Sequence, residues 1–310
     1  MRRLPPVRGA LEPMRPLADL TWLRVGGPAE VFFQPADAED LAAFLAETPA
    51  DVPVTVLGVG SNVIVRDGGL PGVTIRLGRG FNRVERVGET GLRAGAAVLD
   101  AQLAKAAATY GIAGFSFLRG VPGSVGGALR MNAGCYGAYV ADVFVSACAV
   151  DRSGAAWRLT REDMGFGYRH VSAPADLIFT EAEFAGTPGD PAALIAEMDA
   201  LMRRRAESQP VRERTAGSTF RNPAGRSSTA APDHPQEMNA WALIERAGCR
   251  GMALGGARIS PMHANFLINT GGATATDLEN LGEVVRNKVF LTTGVQLEWE
   301  VARIGIHPDA

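Results

Sequence analysis

The chain has 310 residues, of which 46% are hydrophobic and 21% are charged. These values exclude disordered and fibrous proteins and are typical of a globular chain with roughly two domains. The formal net charge of -2 at pH 7 leaves no basic excess for a run of phosphates, so we expect no nucleic-acid partner. The cysteines Cys135, Cys148 and Cys249 form no C-x-x-C pair, which favours a reducing cytoplasm and argues against a metal site.

The first sixteen residues are rich in Pro and Arg, and this composition predicts a flexible N-terminal arm over residues 1–16. Met1-Arg2-Arg3 is similar to the start of a signal peptide, but the apolar stretch that a signal peptide needs does not follow. No apolar run approaches the length that spans a bilayer. We therefore expect a cytoplasmic protein with no membrane insertion.

The next part of the chain predicts a strand at 31–33, a helix at 37–47 and a strand at 52–57. A glycine turn at 58–62 then leads into the β-branched residues 63–65, which predict another strand. A Rossmann domain needs a helix directly after its glycine turn. The pattern of strand, loop and strand therefore excludes that fold here.

The rest of the chain alternates between predicted strands and helices around one long glycine-rich loop. In chain order, the pattern predicts short strands over 72–98, a helix at 99–110, the glycine-rich loop at 115–137, strands at 143–150, 156–159 and 177–184, a helix at 191–207, a linker at 208–214, a strand and loop at 217–223, a polar loop at 224–236, helices at 240–247 and 276–291, and strands at 266–269 and 295–304. This order indicates an α+β fold. We expect boundaries after residues 16, 71 and 207.

Two glycine-rich loops with few basic residues suggest an extended anionic ligand. Glycine lets the backbone approach a ligand closely and form a nest of N–H groups that binds anions. The alternative is that Gly58 and Gly60 only close a tight turn between strands. The segment 122–127 has too few large side chains to form a core of its own, which favours a ligand beside it.

Several motifs of the sequence resemble one family. They are Leu-Gly-Val-Gly-Ser-Asn-Val-Ile-Val at 57–65, Gly-Val-Pro-Gly-Ser-Val-Gly-Gly-Ala at 120–128, Met-Asn-Ala-Gly at 131–134, Gly-Tyr-Arg at 167–169, Gly-Ser-Thr-Phe-Arg-Asn-Pro at 217–223 and Glu-Trp-Glu-Val at 298–301. Together they resemble the UDP-N-acetylenolpyruvoylglucosamine reductases over residues 21–305. The resemblance implies an α+β FAD-binding fold of the vanillyl-alcohol oxidase type, with FAD-binding subdomains at 17–71 and 72–207 and a substrate-binding domain at 208–310.

The resemblance also implies an activity. It is the NADPH-dependent reduction of UDP-N-acetylglucosamine enolpyruvate to UDP-N-acetylmuramate through non-covalent FAD, a cytoplasmic step of peptidoglycan synthesis. We expect the protein to be a monomer or a weak dimer. The cofactor-binding residues implied by the two loops are Gly58, Gly60, Ser61, Asn62, Gly123, Ser124, Gly126, Gly127, Asn132 and Gly134.

Three positions of these motifs would be catalytic. Arg169 would stabilise the developing enolate, Ser218 would deliver the proton, and Glu300 would hydrogen-bond the substrate carboxylate or a nearby water. Without the family motif, the residues taken alone favour a surface pair with Tyr168 for Arg169 and a role in a turn for Ser218. Alternation places Glu298 and Glu300 on the same polar face, so only the family motif selects Glu300.

The resemblance also suggests residues that would bind the substrate. They are Tyr168, Arg205, Asn222, His263 and Asn265. His263 is equally well interpreted as a loop histidine with its hydrogen bonds satisfied.

The sequence departs from the family pattern at two places. Trp299 stands where the family usually has proline, and no tyrosine-bearing insertion lies between Phe184 and Arg203, which is typical of the family's shorter branch. A flavin oxidase of the same fold and a nucleotide-binding module without catalysis are the alternatives. The motif at 217–223 argues against the first, and the presence of all three catalytic positions argues against the second.

Overall fold

The computed structural model describes residues 4–225 and 237–307, so residues 226–236 of the predicted polar loop lie outside the described part. The chain divides into two compact units. The first unit consists of Met1–Pro13, Val31–Gly58 and Gly72–Arg203, and the second of Met14–Glu30, Val59–Pro71 and Arg204–Ala310.

Strands and helices alternate along the whole described chain. The strands are β1 (Ala10–Pro16), β2 (Pro28–Gln34), β3 (Val54–Val56), β4 (Val63–Val65), β5 (Leu70–Ile75), β6 (Val84–Val87), β7 (Gly91–Gly95), β8 (Ile112–Ala113), β9 (Gly134–Cys135), β10 (Ala138–Tyr139), β11 (Phe144–Val150), β12 (Ala156–Thr160), β13 (Ile178–Ala185), β14 (Thr187–Pro188), β15 (Arg214–Ser218), β16 (Ala253–Leu254), β17 (Ala257–Ile259), β18 (Phe266–Asn269) and β19 (Ala302–Ile304). The helices are α1 (Ala38–Glu47), α2 (Asp100–Thr109), α3 (Val125–Arg130), α4 (Val140–Val143), α5 (Arg161–Met164), α6 (Pro191–Ser208), α7 (Ala240–Arg246) and α8 (Ala275–Thr293).

A five-stranded antiparallel sheet with the order β12-β11-β13-β7-β6 forms the larger part of the first unit. Its buried residues, such as Leu92 and Phe184, share one core with Leu103, Ala104 and Ala107 of α2. Small alanines on the inner face of α2 let the helix backbone approach the sheet closely. This packing determines where the glycine-rich loop after α2 begins.

The first unit also contains most of a four-stranded sheet with the order β1-β2-β5-β3. Helix α1 begins at the N-cap Asp37, whose side chain accepts a hydrogen bond from the Asp40 N–H. Its Phe44 ring packs against Phe33 of β2 with the ring centroids 4.2 Å apart. The helical spacing of Leu41, Phe44 and Leu45 therefore does predict the buried face of α1.

Residues 10–16 differ from the flexible arm that composition predicts, because they form β1. The buried Asp40 carboxylate accepts the backbone N–H groups of Arg8 at 2.8 Å, of Gly9 at 2.9 Å and of Ala36 at 2.9 Å. The first two bonds join segments about thirty residues apart, which local composition does not reveal.

The second unit is built on an antiparallel sheet with the order β15-β18-β17-β16, and α7 and α8 share its core. Strand β4 also belongs here, since it pairs in parallel with β19. The Asp67 carboxylate accepts the N–H groups of Ala275 at 3.0 Å and of Thr276 at 2.9 Å at the start of α8. These contacts explain why residues 59–71 group with the C-terminal part, whereas the sequence-based boundaries assign them to an FAD-binding subdomain.

The five longer helices predicted from periodicity are all present, as α1, α2, α6, α7 and α8. The predicted strand at 295–304 is shorter, since only Ala302–Ile304 forms a strand. Leu297 and Val301 are buried in the core of the second unit, so their alternation reflects packing against that core. Within the predicted loop at 115–137, residues 125–130 form α3.

The two longest helices of the described chain are α6, with 18 residues, and α8, with 19 residues. Both carry charged residues along their length, such as the acidic and basic side chains of Asp199, Arg203 and Glu283. Over residues 4–225 and 237–307, no helix is long and apolar enough to cross a membrane.

The hydrogen bonds of Asp40 predict that a substitution of this residue loosens β1. Asp40→Asn replaces one carboxylate oxygen with an amide donor that faces backbone N–H groups, so we expect a loss of about 1–3 kcal/mol of stability and faster proteolysis within residues 4–13. Thermal unfolding and limited proteolysis measure the two effects. Glu47→Gln is the matched control, because Glu47 is an exposed carboxylate at the other end of α1. Equal behaviour of the two variants would show that Asp40 does not hold β1.

Candidate active site

The first glycine loop follows β3 and contributes residues 59–62 to the second unit. Gly60 has a φ of +68°, and a Cβ at this position would overlap the carbonyl oxygen of Leu20. Its own carbonyl accepts the Trp22 N–H at 2.9 Å. Only glycine fits this close approach, so Gly60 sets the path of the loop into the half-buried Ser61 and Asn62.

The second glycine loop lies in the first unit and is bound to the start of α2. The Asp100 N–H donates to the Gly123 carbonyl at 3.1 Å, and the Gly126 N–H donates to the Ala96 carbonyl at 2.9 Å. Between them, Ser124 is buried and forms an antiparallel bridge with Leu99. The loop is therefore a fixed element of the first unit.

Two glycines of these loops have an open side where other residues would carry a Cβ. At Gly58 the nearest atom to an added Cβ would be the Ser124 Oγ at 3.5 Å, and at Gly127 nothing lies within 4 Å. Gly58 is therefore next to the second loop, and the two loops meet in the first unit. An open backbone beside a rigid loop suits FAD, since its pyrophosphate is bound well by backbone N–H groups.

Asp100 lies directly against this loop, and sequence patterns did not single it out. Its side chain is fully buried, and among the described residues neither carboxyl oxygen has a hydrogen-bond partner. Burial raises the pKa of Asp100 well above its ordinary value, which favours the neutral form of the carboxyl. A neutral group leaves the loop free of a negative charge that would repel an anionic ligand.

Asn132, Gly134 and Arg169 are brought together in the first unit. The Asn132 amide donates to the Gly167 carbonyl at 3.0 Å and accepts the Ala141 N–H at 3.0 Å, so its side chain has a structural task. Arg169 donates from Nη2 to the Gly134 carbonyl at 3.2 Å. The half-buried guanidinium is thus held against the end of the second loop segment.

Arg169 sits on a tight turn with a left-handed backbone, at a φ of +51°. Gly167 and His170 exchange backbone hydrogen bonds of 2.9 and 3.3 Å across this turn. A non-glycine residue in this region is strained, and such residues are common at functional sites. The Tyr168 ring supports the cation, since the Arg169 Cζ lies 5.2 Å from its centroid.

Ser218 is the last residue of β15, and a β-bulge precedes it. The register with β18 shifts between Thr215 and Ser218, and Gly217 in the bulge has a φ of +80°. Bulges change the direction of the next side chain and are common beside active sites. Ser218 itself is half-buried.

Ser218 and Glu300 are brought together in the second unit through the backbone of the residue next to Ser218. The Glu300 N–H donates to the Thr219 carbonyl at 2.8 Å. The Asn62 side chain donates to the Glu300 carbonyl at 3.2 Å, so the first glycine loop joins the same cluster. The second unit thus joins the backbone of Glu300 both to the residue next to Ser218 and to the first glycine loop.

Two predicted substrate ligands support this cluster. The Asn265 amide accepts the Phe220 N–H at 3.0 Å and donates to the Phe220 carbonyl at 2.8 Å. The Asn222 Oδ1 accepts the Ala240 N–H at the start of α7 at 3.0 Å. Both amides therefore have structural tasks, and their role in substrate binding stays a prediction.

The other predicted ligands in the second unit are His263 and Arg205. Burial, assisted by the nearby Arg250, lowers the pKa of His263 to about 4, so the imidazole is neutral at pH 7. The ring packs against Phe266 with the centroids 4.7 Å apart. Arg205, on α6, donates from Nε to the Gln209 Oε1 at 3.0 Å.

Sequence reasoning missed the structural importance of Thr219. Its Oγ1 accepts the Leu267 N–H at 3.1 Å, while its carbonyl accepts the Glu300 N–H. Because Thr219 lies inside the motif at 217–223, the sequence motif could have identified it. Asp100 had no such signal, because only the folded chain buries it.

Two family models match the chain. Residues 29–160 match an FAD binding domain, and residues 209–304 match the UDP-N-acetylenolpyruvoylglucosamine reductase, C-terminal domain. The first range contains the second glycine loop, and the second contains Ser218 and Glu300. The α+β fold is therefore the FAD-binding fold expected from the sequence.

Curated relatives are similar over nearly the whole length. The UDP-N-acetylenolpyruvoylglucosamine reductase of Parvibaculum lavamentivorans is 56% identical over 99% of this chain and 95% of its own. That of Dinoroseobacter shibae is 59% identical over 96% of each chain. The solved structure of the reductase from Thermus caldophilus is 32% identical, with a TM-score of 0.80 over 96% of this chain and 99% of its own. The resemblance seen in the motifs is confirmed, and the chain belongs to the UDP-N-acetylenolpyruvoylglucosamine reductase family.

Proposed function

We propose that this chain reduces UDP-N-acetylglucosamine enolpyruvate to UDP-N-acetylmuramate, with NADPH as reductant and non-covalent FAD as cofactor. Family membership supports the reaction. The single observation that supports the assignment of residues is the Glu300 N–H to Thr219 carbonyl bond, because it pairs the backbone of Glu300 with that of the residue next to Ser218. A proton donor and a carboxylate at adjacent backbone positions are what the second half of the reaction requires.

The glycines Gly58 and Gly127, with the buried Ser124 at the contact between the two loops, are the residues we propose to hold FAD. Bound there, FAD would supply the hydride transfer from NADPH to the methylene carbon of the enolpyruvyl group. The chain's own task is then to manage the charge and the proton on the substrate.

Addition of hydride to the methylene carbon leaves an electron pair on the carbon next to the carboxylate. We propose that the Ser218 hydroxyl donates a proton to this carbon, which completes the reduced lactyl group, and regains its proton from water. A hydroxyl is a weak acid, but the carbon is strongly basic and the bulge at Gly217 sets the side-chain direction. Arg169 would stabilise the negative charge that develops, and Glu300 would hydrogen-bond the carboxylate or a water.

We further propose a cytoplasmic location and a monomer or weak dimer. The cysteines support the location, since neither Cys148 nor Cys249 forms a disulfide within the described part of the chain, as expected in a reducing compartment. Analytical ultracentrifugation of the FAD-loaded protein tests the oligomeric state.

The open face of Gly58 predicts a change in FAD binding. Purified protein should be yellow and release FAD on denaturation, and Gly58→Val should weaken FAD binding by roughly tenfold or more by filling the open side. Titration of apoprotein with FAD, followed by flavin fluorescence, measures this. Gly272→Val is the control, since nothing lies within 4 Å of a Cβ at Gly272 and this residue belongs to neither glycine loop. A colourless protein that takes up no FAD on reconstitution contradicts the proposed function.

Ser218→Ala separates the two halves of the reaction. NADPH should still reduce the flavin at the normal rate, while reoxidation by the enolpyruvyl substrate should slow by about a hundredfold, the usual effect of removing one positioned donor. Stopped-flow flavin absorbance measures both steps. Ser208→Ala, at an exposed serine on α6, is the control. Normal reoxidation in Ser218→Ala would rule out this serine as the proton donor.

The lowered pKa of His263 predicts a pH dependence of stability. The unfolded imidazole has its ordinary pKa of 6.5, so between pH 6.5 and pH 4 the unfolded state binds more protons than the folded one. Acidification therefore favours unfolding, by about 2 kcal/mol between pH 7 and pH 5.

Urea unfolding of wild type and of His263→Gln at pH 7 and pH 5 measures this change in the free energy of unfolding. The variant loses ring packing at both pH values but should lack the pH-dependent part. The titratable or charged groups facing the imidazole, Glu245 and Arg250, remain in both proteins. An identical pH dependence in the two proteins would show that His263 is not held neutral.

A further inference from the structure

The indole of Trp299 is held on several sides within the second unit. Its ring centroid lies 5.0 Å from that of Phe220, and Nε1 donates to the Glu283 Oε1 at 2.8 Å. The Arg303 Cζ lies 4.6 Å from the indole centroid. The side chain therefore has one well-defined place, with an aromatic, a hydrogen-bonding and a cationic neighbour.

Gly282 lies inside α8, where glycine costs about 1 kcal/mol relative to alanine. A Cβ at this position would overlap the six-membered ring of Trp299. The glycine thus has a packing reason, because it lets the indole lie directly against the helix backbone.

The Glu283 carboxylate, which accepts the indole N–H, is fixed by further hydrogen bonds. Its carboxylate also accepts hydrogen bonds from Arg286 and, at 3.0 Å, from Arg303. Partial burial alone would raise the pKa of Glu283, but the hydrogen bonds from Trp299 and Arg286 outweigh it and lower the pKa below its ordinary value. Arg286 also donates from Nε to the Leu297 carbonyl at 2.8 Å, which ties α8 to the segment before Trp299.

Trp299 stands opposite Phe220 in an isolated antiparallel bridge. The hydrogen bonds lie on either side of this pair, from the Arg221 N–H to the Glu298 carbonyl and from the Glu300 N–H to the Thr219 carbonyl, both at 2.8 Å. In such a non-hydrogen-bonded pair the side chains approach most closely and the residues' own N–H groups take no part. The contribution of Trp299 to this bridge is therefore its indole.

We propose that Trp299 is a positioning residue, whose indole holds the bridge that pairs Glu300 with Thr219, the residue next to Ser218, an inference that rests on the roles proposed above for Ser218 and Glu300. The clamp runs from Gly282 and Glu283 of α8 through the indole to Phe220. Loss of the indole N–H or displacement of the ring lets the segment 298–301 move relative to 218–221.

Trp299→Phe keeps an aromatic ring but removes the N–H donor, and Gly282→Ala pushes the ring away from α8. In both we expect flavin reduction by NADPH and FAD binding to stay normal, while the rate constant for reoxidation by saturating enolpyruvyl substrate falls roughly tenfold. Hydrogen exchange in the FAD-free protein should also be faster at the Glu300 N–H.

Val289→Ala is the matched control, since Val289 is fully buried on the same helix. It should lower the melting temperature without slowing reoxidation. If Val289→Ala slows reoxidation as much as Trp299→Phe at an equal loss of melting temperature, the indole acts only through stability and the proposal is overturned.

The Ser218→Ala variant, measured in the same experiment, distinguishes the positioning role of Trp299 from the proposed role of Ser218 as proton donor. Normal reoxidation in both the Trp299→Phe and Gly282→Ala variants with slow reoxidation in Ser218→Ala refutes the positioning role alone. Normal reoxidation in Ser218→Ala refutes the proposed role of that serine, and the positioning role falls with it.

Discussion

The hydrogen bond from the Glu300 N–H to the Thr219 carbonyl is the contact on which the candidate site of the second unit depends. It joins two segments that are far apart in the chain and places the serine at 218 and the carboxylate at 300 on neighbouring stretches of backbone. Asn265 supports one side of it by bonding both backbone groups of Phe220, and Asn62 supports the other through the Glu300 carbonyl. Buried backbone groups must be paired, and here each pairing also locates a functional side chain.

Glycines serve two distinct purposes in this chain. Gly60 and Gly282 are needed because another part of the protein occupies the space of a Cβ, a backbone carbonyl in one case and an indole in the other. At Gly127, in contrast, a Cβ would face open space, and at Gly58 it would meet only the Ser124 Oγ at 3.5 Å, which leaves the backbone accessible to a ligand. The number of glycines in the sequence does not distinguish these two purposes. What distinguishes them is the group that a Cβ at each position would meet.

Burial and hydrogen bonding determine the charge state of three groups around the candidate site. Burial raises the pKa of Asp100 against the second glycine loop, and it keeps His263 neutral at pH 7 in its aromatic contact with Phe266. Glu283 is kept ionised by its hydrogen-bond donors in spite of partial burial. The pattern limits charge near the proposed anion-binding loop and provides a fixed acceptor for the indole of Trp299.

Local patterns in the sequence were enough to predict the longer helices, the succession of strand, loop and strand at 52–65, and the family through its motifs. Helical spacing of Leu41, Phe44 and Leu45 is a property of neighbouring residues, and so it can be seen without the fold. Long-range contacts decided the rest. Asp40 accepts hydrogen bonds from the segment just before β1, and β19 pairs with β4 in the second unit. Gly282 leaves room for the indole of Trp299. Each of these depends on a partner far away in the chain, and the free energy of such a contact arises only when folding brings the two segments together.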